Sequence, residues 1–189
     1  MKKTMKVLTV IFVISFLISI MTYRITGNEN LLALTIKLGT CAYHFLMRLI
    51  VGYAIDGLYH NKMNYHRKWF QPLKWEKRLY RKMKVKTWKD KMPTYDADTF
   101  SLESHSMEEI VMAMCQSEIV HEIIVIFSFT PLLLAIRFGT ISVFLITSVL
   151  AAGFDMMFVI MQRYNRPRLV RLLDRTENRK KIKRKYLWK

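Results

Sequence analysis

Cysteine is nearly absent from this chain. Its two copies, Cys41 and Cys115, fall in different segments and lack the short spacing of metal ligands, so neither a metal site nor a disulfide is expected. No segment repeats and no low-complexity linker appears, and 189 residues are enough for one domain, residues 1–189. Acidic residues are scarce: 14 Asp and Glu stand against 31 Lys and Arg, a formal charge of +17. A cleavage signature is also missing. The first apolar run, Val7 to Met21, follows Lys2, Lys3 and Lys6, but Thr22, Tyr23 and Arg24 follow it in place of a small-x-small site. The reading favoured is an uncleaved anchor over a signal peptide; the chain emerges outside after Tyr23 in either case.

What the chain does have is apolar sequence, 52% of it, segregated from the charge. Charge placed between and after nearly charge-free runs points to lipid before nucleic acid. Four spans are expected, at about 7–23, 31–55, 119–136 and 140–161, with a loop over 56–118 and a tail over 162–189. Pro131 is a candidate kink, and Arg137-Phe138-Gly139 a tight outer turn. The N-terminus, the loop and the tail carry 3, 12 and 12 basic residues, whereas Arg24 and Arg137 are the only ones in the two outer turns. Four spans put all three basic segments on the cytoplasmic face of a cell membrane; removing one span would turn a heavily basic segment outward. The fold class is therefore an all-α membrane protein of about four transmembrane helices, with a basic aromatic cytoplasmic loop and a basic amphipathic C-terminal helix.

Within the loop, Lys62 to Lys91 mixes basic residues with Trp69, Phe70, Trp75, Tyr80 and Trp88. Such a mixture can stack on single-stranded nucleic acid. Between two spans it reads better as a platform at headgroup level, meeting anionic lipid, and no nucleic-acid partner is expected. Lys82-Met83-Lys84-Val85-Lys86 alternates with period two and is a candidate short strand. Ser106 and Glu109 form a capping box that starts a helix near Met107.

Three polar constellations interrupt the apolar pattern. In the second span Lys37, Cys41, His44 and Arg48 share one helical stripe. They form either the wall of an internal cavity or a set of snorkelling side chains. At the start of the third span, Glu118 and His121 are three residues apart and share a helical face. A carboxylate beside an imidazole orients it and raises its basicity, which suits deprotonation of a hydroxyl; the bland alternative is an interfacial helix start. Where the fourth span ends, Gln162-Arg163-Tyr164-Asn165-Arg166-Pro167-Arg168 sets three arginines in six residues. Arginines so placed grip phosphates with paired hydrogen bonds, and Asn165 is a donor for an oxyanion; the alternative is a positive-inside stop. The second and third constellations fall at one membrane face and are expected to meet there. Asp155, two turns deeper, is expected to face the interior.

On the run Gln162 to Leu169, continued by Leu172-Leu173, the chain resembles the glycosyl-diaponeurosporenoate acyltransferases of the staphyloxanthin pathway. Glu118-x-x-His121, Trp88-Lys89-x-Lys91 and Trp75-Glu76 ahead of Tyr80 support the resemblance, which covers roughly residues 70–173. The Lys37–Arg48 stripe lies outside it, and Asp155 stands where the family is expected to carry an amide. The resemblance implies a bacterial membrane O-acyltransferase that esterifies a sugar hydroxyl of a glycosylated carotenoid, or a related glycolipid, with a fatty acyl chain. On that reading His121 is the general base, Glu118 orients it and Asn165 steadies the oxyanion. Arg163, Arg166 and Arg168 hold phosphates, and Gln162, Tyr164, Trp88 and Glu76 contact substrate. The implied partners are membrane lipids, the acceptor and acyl-CoA or another activated donor, with no cofactor and no metal. The rival reading is a non-catalytic membrane protein that organises anionic lipid or a partner enzyme. The oligomeric state is not set by the sequence.

Overall fold

A computed structural model describes residues 2–93, 96–139 and 141–187. The chain is all-helical, 82% helix, with no strand among the described residues. Among the described residues seven α-helices follow in order: α1 Lys2–Thr26, α2 Glu29–Tyr59, α3 Glu76–Lys82, α4 Val85–Trp88, α5 Met107–Phe127, α6 Leu132–Phe138 and α7 Ile141–Leu187. Four stretches are long and apolar enough to cross a membrane: Lys2–Thr26, Glu29–Tyr59, Met107–Ile136 and Ile141–Arg179. Each overlaps one expected span and runs beyond it at one end or both; Thr140, the expected start of the fourth, lies outside the described residues.

The breaks between helices follow local chemistry. Gly27, at φ 63°, closes α1 in the left-handed region and donates its N–H to Tyr23 O. Asn28 then opens α2, its Oδ1 accepting from the Asn30 N–H at 2.9 Å. At the start of α5 the capping box forms: the Ser106 N–H donates to Glu109 Oε2 at 2.7 Å, and the Glu109 N–H to Ser106 Oγ at 3.3 Å. Pro131 does more than kink its span. α5 ends at Phe127, and a new helix, α6, begins after the proline. Gly139, at φ 70°, closes α6.

One expectation needs correction. Lys82–Lys86 is no strand: α3 ends at Lys82, Lys84 turns left-handed at φ 50°, and α4 begins at Val85. Alternation alone cannot make a strand without a partner to pair with. The tail is helical as expected, as the continuation of the fourth span. α7 continues from the apolar run through Pro167 into the basic segment; the change in composition at Gln162 alters which solvent the helix suits, but it is no helix stop.

The chain divides into two compact units, Met1–Leu58 with Val120–Met156, and Tyr59–Ile119 with Met157–Lys189. In the first unit α1 and α2 form an antiparallel pair. Ser19 and Thr35 share a 2.7 Å hydrogen bond, Phe12 stacks on Phe45, and Gly39 lies so close to the Phe16 ring that a Cβ there would meet it at 2.8 Å. Met47 and Val51 of α2 pack on Ile124 of α5, with Tyr43, Ile55, Val120 and Ile123 around them. Val10, Ile14, Leu17, Ile18 and Met21 leave one face of α1 apolar and exposed, as a lipid-facing helix requires. In the second unit Phe70, Tyr80 and Val85 are buried, as are Val111 and Met114 from the start of α5.

Candidate functional site

The first unit holds an ionised cluster on three long helices. Asp155 of α7 is 1% exposed and accepts on both carboxylate oxygens. His121 Nδ1 of α5 lies 2.9 Å from its Oδ1. Arg48 of α2 donates to Oδ2 through Nε at 3.0 Å and again through Nη2. Arg48 also donates to Ala151 O at 3.4 Å. A charge in an apolar span must face a partner within protein, and here one carboxylate serves both a guanidinium and an imidazole. An imidazole whose Nδ1–H donates to a carboxylate is fixed in the tautomer that leaves Nε2 basic.

Two buried groups beside this cluster lack partners. Among the described residues, both ring nitrogens of His44, one turn before Arg48, have no hydrogen-bond partner, and neither does Ser148 Oγ on α7. Lys37, expected on the same stripe as His44, is exposed, and Cys41 is half-buried. The first unit also contains a largely apolar cavity of about 540 Å³, lined among others by Phe16, Ile20, Thr40, Tyr43, Leu134 and Phe144.

The second unit is built around Arg163 of α7. Its five N–H groups make five hydrogen bonds. Nε and Nη2 reach Glu76 Oε1 at 2.8 and 2.6 Å, Nη1 reaches Glu118 Oε1 at 2.6 Å and Trp69 O at 3.0 Å, and Nη2 reaches Gln71 O at 3.3 Å. Arg166 donates to Glu118 Oε2 and, at 2.6 Å, to Phe70 O, with its guanidinium 5.0 Å from the Phe70 ring centre. The two arginines therefore tie the 69–76 segment to α5 and α7, and Glu118 is the carboxylate between them. Glu76 Oε2 is buried and unpartnered among the described residues. Tyr80 is buried beside it; burial, then the Glu76 carboxylate, push its hydroxyl up to about 12.

The other expected site residues are distributed as follows. Gln162 Nε2 donates to Ser117 Oγ at 3.2 Å. Tyr164 presents its ring to Tyr80 and accepts from Arg168 Nη2 at 2.6 Å. Arg168 itself is exposed, and Asn165 is half-buried. Trp88 Nε1 donates to Met83 O at 3.1 Å. The guanidinium donors expected to grip phosphate are thus taken up within the protein at Arg163, and largely so at Arg166. Sequence reasoning placed Glu118 beside His121; the structure pairs Glu118 with two arginines and gives His121 the carboxylate of Asp155. Charge accounting carries the missing signal, since Arg48 and Asp155 both sit in apolar spans and each needs a counter-charge.

These features define a class: an all-helical chain with four helices able to cross a membrane, holding buried ion pairs and a histidine–carboxylate pair within them. A model of the glycosyl-4,4'-diaponeurosporenoate acyltransferase family matches residues 66–175. That stretch is more than half of the chain and includes Glu76, Trp88, Glu118, His121, Asp155 and the Gln162–Arg168 run. The protein belongs to the glycosyl-4,4'-diaponeurosporenoate acyltransferase family. No curated protein and no solved structure is significantly similar to the chain.

Proposed function

We propose that this protein is a membrane O-acyltransferase that moves a fatty acyl chain from an activated donor to a sugar hydroxyl of a glycosylated carotenoid or a related glycolipid. The observation that carries this reading is the family match across residues 66–175, which includes His121; Asp155, at a position where the family is expected to carry an amide, is its partner in this chain. Their hydrogen bond supplies the chemistry that the transfer needs. His121 Nε2 takes the proton of the sugar hydroxyl while the oxygen attacks the donor carbonyl. The tetrahedral intermediate collapses to an ester, the bond to the leaving group breaks, and His121 returns the proton to it. With an acyl thioester such as acyl-CoA, the products are the ester and the free thiol. Asp155 holds the ring in the right tautomer and stabilises its protonated form.

In the second unit, the reading assigns Arg163, Arg166 and Glu118 to holding the 69–76 segment in place. Glu76 Oε2, buried without a donor among the described residues, is the acceptor that this unit leaves open, since a buried carboxylate oxygen without a donor is costly. Arg168 is the exposed guanidinium of this unit, suited to an anionic phosphate.

The test is transfer of a labelled acyl group in membranes carrying the wild-type chain or a variant. His121→Ala is expected to lose on the order of 10²–10⁴ in rate, the usual contribution of a general base. Asp155→Asn is expected to lower kcat more than it raises KM, because it disturbs the tautomer rather than binding. Unchanged turnover in His121→Ala at equal protein level removes the proposed base.

A further inference from the structure

His44 is 6% exposed and Ser148 is 0% exposed. Both lie in spans, where a polar group without a partner costs several kcal/mol. Serine and threonine in these helices commonly bond back one turn: Thr35 donates to Leu31 O, Thr40 to Ile36 O, Ser128 to Ile124 O and Thr147 to Val143 O. Ser148 makes no such bond, and neither nitrogen of His44 has a partner. Two buried donors are thus left, among the described residues, with nothing to donate to.

Their place in the fold says what they are placed to meet. Arg48 reaches Ala151 O and Asp155, so the His44–Arg48 face of α2 lies against α7. One turn back on each helix, His44 and Ser148 occupy corresponding levels. One turn further, Thr40 and Phe144 line the 540 Å³ apolar cavity. The order along the first unit is therefore cavity, then unpartnered donors, then the Asp155–His121 pair. A volume of this size is typical of a site for a small organic ligand. A ligand that fits the order has a long apolar chain ending in a hydrogen-bond acceptor.

We propose that this cavity takes the fatty acyl chain of the donor and that His44 and Ser148 hold its carbonyl oxygen. The proposal rests on the acyltransferase reading for the identity of the chain and adds to it the residues that bind the reacting group. The spacing fits the chemistry. Ser148 and Asp155 are seven residues apart, about 10 Å along the helix axis. A carbonyl held by Ser148 and an attacking hydroxyl held by His121 span such a distance at roughly 3 Å per step. During attack the carbonyl oxygen gains charge, and an imidazole N–H with a hydroxyl in a dry site is a donor pair suited to it.

The test reads the carbonyl directly. The full chain in lipid nanodiscs is given a palmitoyl thioester labelled with ¹³C at the carbonyl, and the labelled infrared band is recorded. The proposal expects a band at lower frequency than in the same nanodiscs without protein. It expects a partial return in Ser148→Ala or His44→Phe and a full return in the double variant. His44→Gln, which keeps a donor, is expected to hold the shifted band. Thr40→Trp, which fills the cavity, is expected to weaken palmitoyl binding at least tenfold while sparing an octanoyl thioester. An unshifted band with the wild-type chain, or an undiminished shift in the folded double variant, overturns the proposal. A shifted band without acyl transfer upholds this site and sinks the catalytic reading; transfer without the shift does the reverse.

Discussion

At the scale of single residues, the second unit turns on one carboxylate. Glu118 is fully buried and accepts from both Arg163 and Arg166. Removing one member of a buried ion network leaves the others charged, unpaired and away from water, which costs about 3–5 kcal/mol. Glu118→Gln keeps the shape and removes the charge. It is expected to lower the unfolding free energy of the purified protein by an amount in that range, read from denaturant titration; a loss under about 1 kcal/mol would mean that the arginines find other acceptors. Arg163→Lys belongs to the same argument, since an ammonium offers three donors where the guanidinium uses five. Tyr80 gives a separate handle. Its hydroxyl titrates near 12 when folded, against about 10 in an unfolded chain. Between those values the unfolded chain has released a proton that the folded chain keeps. The stabilisation is therefore complete below pH 10 and is lost as pH rises toward 12, by about 2–3 kcal/mol. Tyr80→Phe lacks that loss, so the difference in unfolding free energy between the two chains should change with pH only in this window. A pH-independent difference would show that the tyrosine does not ionise in the way described.

Among the elements, the capping box was fully legible, because Ser106 and Glu109 satisfy backbone donors within one turn and need no distant partner. Ser106→Ala should accordingly cost about 1 kcal/mol and raise hydrogen exchange at the first turn of α5, with the rest of the helix protected as before. Exchange raised evenly along α5 would mean that the cap does not act locally. The four apolar runs were legible for the same reason: a span is a property of composition over about twenty residues. The ends of the long helices were not. Gln162 marks a change of charge, and neither it nor Pro167 ends α7; a proline inside a helix removes one hydrogen bond but does not compel a stop when packing holds both sides. The site was half legible. Its residues were found because ionised groups in or beside apolar spans are conspicuous. Their pairing was missed because spacing along one helix favours Glu118 for His121. Asp155 lies 34 residues after His121, and Arg48 lies 107 positions before Asp155; only the packing of three helices brings them together.

The whole molecule is organised by where its charge can reside. Three basic segments, with 3, 12 and 12 Lys and Arg, alternate with spans, and the outer turns hold Arg24 and Arg137. Charge bias of this kind orients a chain because Lys and Arg resist translocation. The loop adds exposed aromatics: Trp69 is 62% and Trp75 59% exposed, beside Lys68 and Lys74. In water such a surface invites aggregation, but at an anionic membrane face it fits the headgroup layer. The orientation expected from this bias has the N-terminus, the 56–118 loop and the tail on the cytoplasmic side, and the turns at Gly27 and Gly139 outside. Single cysteines placed at Asn28, Lys74 and Asn178 in a chain with Cys41 and Cys115 replaced by Ala test it in intact cells. A membrane-impermeant maleimide should label the Asn28→Cys chain in whole cells, and the Lys74→Cys and Asn178→Cys chains only after the membrane is opened. The enzymatic proposal uses a donor such as acyl-CoA, which is made and kept in the cytoplasm, so labelling of Lys74→Cys in whole cells would deny that donor to the loop carrying Glu76 and would undo both the orientation and the choice of donor together.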